Sequence, residues 1–252
     1  MGALQRVAKT PKYIDMKRLN TVLRFMKKHP METIFKKLTG PLKIIAVSDS
    51  AFKRQDENPL ACRGSMTLLC SSNRFELGGH VHILDYECKK QKRVTRSTYG
   101  AELHGLADSM EGTRVIACAL TELYEGAKTF GQLSRLEDEG KYHFPIEACL
   151  DAKSVYDSIV HADLKTPEEK SLMNILGQMR EHMSTTRIKK LWWIDTRDML
   201  ADGLNKGAVS RKALLLALTE GLWYLELPTV SMESKNLSYS GNIIDITGTE
   251  ID

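Results

Sequence analysis

Four carboxylates in this 252-residue chain sit where folding could gather them. Asp49 follows an apolar run at residues 42–48, and Asp151 follows another at 146–150. Glu102 lies in the first or second turn of a helix that starts near Thr98, and Asp202 lies in a short helical segment near 200. If the two apolar runs are neighbouring strands, Asp49 and Asp151 meet, and Glu102 can point at the same spot from a helix crossing the sheet. Four such acids repel one another and have raised pKa values unless a cation neutralises them. Hard divalent ions with oxygen ligands do this, and Mg²⁺ takes one or two carboxylates while sharing substrate phosphate oxygens. Two ions about 3.5–4 Å apart can activate a water and stabilise the leaving oxygen of an in-line phosphodiester displacement. Each acid also has a simpler reading. Asp49 can be a strand-end turn residue, Glu102 a carboxylate favoured by the positive end of a helix, Asp151 an N-cap and Asp202 an exposed helix residue. The joint pattern of acid type and element type favours the metal.

Just before Glu102 the chain is basic. Lys89, Lys90, Lys92, Arg93 and Arg96 place five cations in eight residues. Such a run suits salt-sensitive, sequence-independent contact with a phosphate backbone. It also suits a solvated sheet edge that discourages aggregation. His80, His82 and His104 have no metal-ligand spacing with another ligand and read as packing or surface residues.

The elements that must hold these groups follow from periodicity. Residues 42–48, 65–71 and 79–86 read as three strands of an antiparallel meander, the first two joined through a polar loop from Phe52 to Pro59, the second and third through a segment opening with Ser72-Asn73-Arg74. A helix runs from about Thr98 to Tyr124, capped by Ser97 or Thr98, with Gly112 as a break point. Gly126 to Gly140 reads as a polar linker. A fourth strand covers 146–150, helices cover 152–160 and 167–183 with Pro167 in the first turn, and a fifth strand covers 187–194. Thr196 caps a short helix holding Asp198 and Asp202, and a last helix spans 211–218, anchored by Trp223 and Tyr224. Trp192 and Trp193, adjacent on the fifth strand, face opposite sides of the sheet. The expected architecture is α/β: a five-stranded mixed sheet, strands 1–3 antiparallel and strands 4 and 5 parallel, with helices on both faces.

Three parts are expected. Residues 1–41 form a basic connector whose helix is ended by Pro30, 42–227 form the main domain, and 228–252 form a polar, loosely ordered tail. A net charge of +4 with 42% hydrophobic and 27% charged residues fits an ordinary globular protein and is compatible with nucleic acid. The five cysteines show no Cys-x-x-Cys pair and read as reduced thiols. No apolar run reaches membrane-spanning length and no signal peptide is evident, so an intracellular protein, cytoplasmic or nuclear, is expected.

The ordered phrases Ser-Asp49-Ser, Lys-Lys-Gln-Lys-Arg-Val-Thr-Arg-Ser-Thr-Tyr-Gly-Ala-Glu102-Leu, Leu-Asp151-Ala-Lys-Ser and Met-Leu-Ala-Asp202-Gly-Leu-Asn-Lys resemble the RNase H domain of copia-type LTR-retrotransposon Pol polyproteins. The resemblance spans roughly residues 43–224, and residues 10–40 resemble the segment that joins reverse transcriptase to RNase H in such polyproteins. It implies an RNase H fold and metal-dependent cleavage of the RNA strand of RNA–DNA hybrids. By motif, Asp49, Glu102, Asp151 and Asp202 would hold two Mg²⁺ ions, with Mn²⁺ able to substitute. Lys89, Lys90, Lys92, Arg93 and Arg96 would touch the hybrid backbone, and a reverse transcriptase of the same polyprotein would be a partner. The Tyr/Phe-x-Asp-Asp motif of a reverse transcriptase is absent from the sequence. So is the histidine that many cellular RNases H carry shortly before the last acid, since residues 191–201 contain none. The competing reading is a catalytically degenerate module that binds nucleic acid or a polymerase.

Overall fold

The structure, a computed structural model, describes residues 8–30, 32–52, 61–71, 77–161, 167, 169–207, 209–226 and 229–233. At its centre is β1 (Leu42–Ala51), whose interior residues are all buried because both faces of the strand are covered. It pairs antiparallel with β2 (Cys62–Ser71), which pairs antiparallel with β3 (Gly79–Lys90), as the meander requires. On its other side β1 pairs in parallel with β4 (Ile146–Leu150), and β4 with β5 (Lys190–Trp193).

The sheet has seven strands, not five, in the order β6-β3-β2-β1-β4-β5-β7. The extra strands lie at its edges. β6 (Leu222–Trp223) pairs with β3, and β7 (Val230–Glu233), from the stretch expected to be loose tail, pairs with β5. Two and four residues are too short to show a periodicity, so edge pairing and not local pattern makes them strands.

α1 (Tyr13–Lys28) ends at its C-cap His29, one residue before Pro30, as expected. Its apolar side chains Tyr13, Met16, Phe25 and Met26 stand exposed. α2 (Thr98–Glu125) starts on Ser97, whose side chain accepts from the Gly100 N–H. It runs through Gly112 without a break, because one glycine in a helix held by tertiary packing is tolerated. The 126–140 stretch expected to be a linker contains α3 (Phe130–Asp138), opened by a Thr129–Gln132 capping box. Its Leu136 packs on the core and its Glu137 pairs with Arg114 of α2 at 3.0 Å.

α4 (Lys153–Val160) follows β4. α5 (Ser171–Ser184) begins later than expected, so Pro167 lies outside it. The short helix expected after Thr196 is two pieces. A 3-10 turn over Thr196–Asp198 is capped by Asp195, not Thr196, and α6 (Asp202–Asn205) follows, then α7 (Lys212–Thr219). The expected loop from Phe52 to Pro59, the Ser72-Asn73-Arg74 turn and the tail beyond 233 lie mostly outside the described residues.

Two apolar cores flank the sheet, as alternation along β1 dictates. Ile44 and Ala46 pack with Leu103, Leu106 and Met110 of α2 and with α4 and α5. Ile45 and Val47 pack with Trp192, Leu200, Leu214 and Trp223 on the α6–α7 side. Trp192 and Trp193 face these opposite sides, and Trp193 is partly buried against the α2 core. Trp223 is fully buried and donates to the Asp198 carbonyl at 3.1 Å, whereas Tyr224, expected to anchor with it, is exposed.

Candidate metal centre

Register brings the first two acids level. Ser48 of β1 pairs with Leu150 of β4, so the next residue on each parallel strand, Asp49 and Asp151, lies at the same end of the sheet. β1 runs three residues beyond the expected strand end, which makes Asp49 a fully buried strand residue and not a turn residue. Glu102 reaches the same end from the second turn of α2. That helix can lie close because Gly105 faces β1, where a Cβ would collide with the Ser50 hydroxyl. Asp49, Glu102 and Asp151 each offer an oxygen within 4.8 Å of the others.

Asp202 lies beside this group but not in it. The Lys206 ammonium stands between, 3.0 Å from Asp49 Oδ1 and 2.6 Å from Asp202 Oδ1. Asn205 Nδ2 donates to Asp49 Oδ2 at 2.7 Å and also to the Asp49 and Cys62 carbonyls. The Thr196 hydroxyl donates to Asp151 Oδ2 at 2.8 Å. Three of the four expected acids are thus brought together, and the fourth is joined to them through a lysine that composition alone did not single out.

Burial, then the charges of Asp49 and Asp151, pushes the Glu102 carboxyl up to about 9. Burial and Asp49 also raise Asp151. Asp202 is pushed up to about 7, mainly by burial, with Asp49 and Asp151 adding to the rise while Lys206 opposes it. For Lys206, burial works against the charge, but its hydrogen bonds to Asp202 and Asp49 raise it above the usual lysine range. Among the described residues the acids outweigh the one cation that pairs with them, and burial with mutual repulsion raises Glu102, Asp151 and Asp202. The cluster's all-oxygen donor set fits a hard divalent ion.

The basic run divides. Lys89 and the half-buried Lys90 end β3, where Lys89 pairs with Glu87 of the same strand, while Lys92, Arg93 and Arg96 are exposed in the loop before α2. Gln91, which the sequence offered only as part of the basic phrase and with no role of its own, fixes this loop to the acid end of the sheet. It is buried and donates to the Ala101 carbonyl at 2.6 Å and the Ser50 hydroxyl at 3.2 Å. Lys92 and Arg93 line a cavity of about 290 Å³ with His104 and Asp108. His80 and His82 lie on β3, and with His104 they stand apart from the acid cluster.

No protein-family pattern and no curated sequence matches the chain. Among solved structures it is similar to an RNase H1 isolated from compost by a metagenomic approach, with 13% identity and a TM-score of 0.39 over 64% of this chain and 91% of that one. It is similar in the same degree to RNase H1 from the halophilic archaeon Halobacterium salinarum, with 13% identity and a TM-score of 0.39 over 66% and 94% of the two chains. The NurA nuclease from Sulfolobus solfataricus aligns over 86% of this chain and 72% of its own, at 9% identity and a TM-score of 0.30. No described helix is long and apolar enough to cross a membrane.

Proposed function

We propose that the chain is a divalent-metal-dependent endonuclease that hydrolyses the RNA strand of RNA–DNA hybrids. The observation that carries this reading is the set of three carboxylates from β1, α2 and β4 within 4.8 Å of one another. Asp49, Glu102 and Asp151 would hold a Mg²⁺ or Mn²⁺ ion, with Asp202 at its side. When bound, a divalent ion supplies Lewis-acid polarisation of the scissile phosphate and activation of water. Asn205 and Thr196 orient Asp49 and Asp151, a role whose loss commonly lowers metal affinity or activity about 10–100-fold. Lys90, Lys92, Arg93 and Arg96, with Lys89 beside them, contact the hybrid backbone, held near the acids by Gln91. Hybrid selection rests on duplex shape and 2′-hydroxyl contacts, not base sequence.

A labelled hybrid tests this directly. Cleavage of its RNA strand with Mg²⁺ or Mn²⁺, abolished by a chelator, is expected, with single-stranded RNA and duplex DNA spared. Hybrid binding without cleavage under either metal would leave a non-catalytic binding module as the better description.

The phrases around 89–102 and 200–206 support an origin in a copia-type Pol polyprotein, where a reverse transcriptase would be the natural partner. Sequencing the DNA that flanks the coding region checks this. A reverse-transcriptase frame with a Tyr/Phe-x-Asp-Asp motif upstream is expected, and unrelated flanks would count against it.

A further inference from the structure

We infer that Lys206 fills the second cation position of the acid cluster, so that the site takes up one divalent ion and not two; this rests on the metal-dependent reading above. Asp49 is the acid common to both halves of the cluster. On one side it shares a three-carboxylate group with Glu102 and Asp151. On the other it faces Asp202, and the space between those two carboxylates holds the Lys206 ammonium, at 3.0 and 2.6 Å. An ion bridging Asp49 and Asp202 would have to sit where the ammonium is, against its charge.

The lysine is built into this place. It follows α6 directly and lies four residues after Asp202, so one turn of helix sets it over that acid. Its neighbour Asn205 ties the same turn to Asp49. Both carboxylates are buried, while the Lys206 side chain keeps 29% of its exposure and is open to a substrate from the solvent side. An ammonium has three donors. Two are spent on Asp49 and Asp202, and the third is left for a phosphate oxygen, where fixed positive charge stabilises charge developing in the transition state.

Counting bound Mn²⁺ on the full chain at neutral pH, by equilibrium dialysis with electron paramagnetic resonance, tests the inference apart from activity. Wild type should hold one ion per chain with an uncoupled signal. Lys206→Met should hold two, with signals broadened by mutual coupling, as for ions about 3.5–4 Å apart. Lys206→Met combined with Asp202→Asn should return to one. Hybrid cleavage should rise with the first power of Mg²⁺ concentration in wild type and nearer the second power in Lys206→Met. Two coupled ions in wild type would overturn the inference while leaving metal-dependent cleavage standing, and a single ion in folded Lys206→Met would also overturn it. If neither protein binds any ion, the metal reading itself fails. Should Lys206→Met not fold, the wild-type count alone decides between one ion and two.

Discussion

β1 and β4 each contribute to a charged cluster at either end of the sheet, and the two clusters are built differently. At one end Lys43 Nζ lies 2.9 Å from Glu147 Oε2, which also accepts from Trp192 Nε1 at 2.6 Å. Lys190 lies over the Trp192 ring at 4.2 Å and 3.8 Å from Glu233. Among the described residues two cations and two carboxylates pair there. At the other end, among the described residues, four carboxylates, Asp49, Glu102, Asp151 and Asp202, share one lysine. Burial is similar at both ends; the charge balance is not. A paired cluster is complete as folded, whereas an unbalanced one keeps raised pKa values and demands a further cation. The excess of acid, more than the presence of buried charge, is what singles out this end for the proposed metal site.

Removing one acid should separate the two ends most sharply. Asp49→Asn should lower hybrid cleavage by more than about 100-fold, beyond what loss of an orienting residue costs. Its melting temperature should stay level or rise, because a buried repulsion is relieved. Normal cleavage by this variant would show that the site is misassigned.

The opposite outcome is expected at the balanced end. Glu147→Ala removes the carboxylate shared by Lys43 and Trp192 and should cost about 3–5 kcal/mol of stability, read by urea denaturation. Cleavage per folded molecule should be unchanged, since the cluster lies at the far end of β4 from Asp151. A fall in specific activity larger than the loss of folded protein would argue that the two ends are coupled.

The ends should also differ in how pH affects them. Glu102 keeps its proton in the folded chain up to about 9 but would lose it near the ordinary carboxylate value when unfolded. The folded state therefore binds more protons through that window, so stability of the cation-free protein falls as pH rises from about 4.5 to 9. Thermal melts across this range should show the slope, and saturating Mg²⁺ should flatten it. Glu102→Gln should lessen the slope of the cation-free protein and leave the part that Asp151 and Asp202 contribute.

Smaller effects lie outside both clusters. Replacing Lys92 and Arg93 together with Ala should reduce the salt dependence of hybrid binding by about 0.7–0.9 in log–log slope for each phosphate that is no longer neutralised, with little change in metal binding. An unchanged slope would leave these residues as a solvated loop. Gly112→Ala, where a new Cβ meets nothing within 4 Å, should stabilise α2 by about 0.5–1 kcal/mol and leave cleavage untouched.

Much of the frame was legible because burial on both faces writes itself as a continuous apolar run, as in residues 42–48, and a packed helix face writes itself as recurring Leu103, Leu106 and Met110. What was missed had no such signature. α3 is polar overall and holds its place through a capping box and the Arg114–Glu137 pair, which spans 23 residues. β6 and β7 are strands because a sheet edge was available to them. Gln91 and Asn205 are ordinary amides in the sequence and become part of the site only through the partners that folding gives them.

By itself the sequence determined which residue types stand near which element ends: an acid toward the end of one buried strand and just after another, one in an early turn of the long helix, one in a short late helix, and cations ahead of Glu102. The tertiary structure decided which of those charges are neutralised. Asn205 and Lys206 lie 156 and 157 residues from Asp49, so their contacts depend on parallel register and on the placement of α6, not on local preference. Chemistry at the site depends on charge balance over a few ångströms, and that balance is set by which distant segments meet.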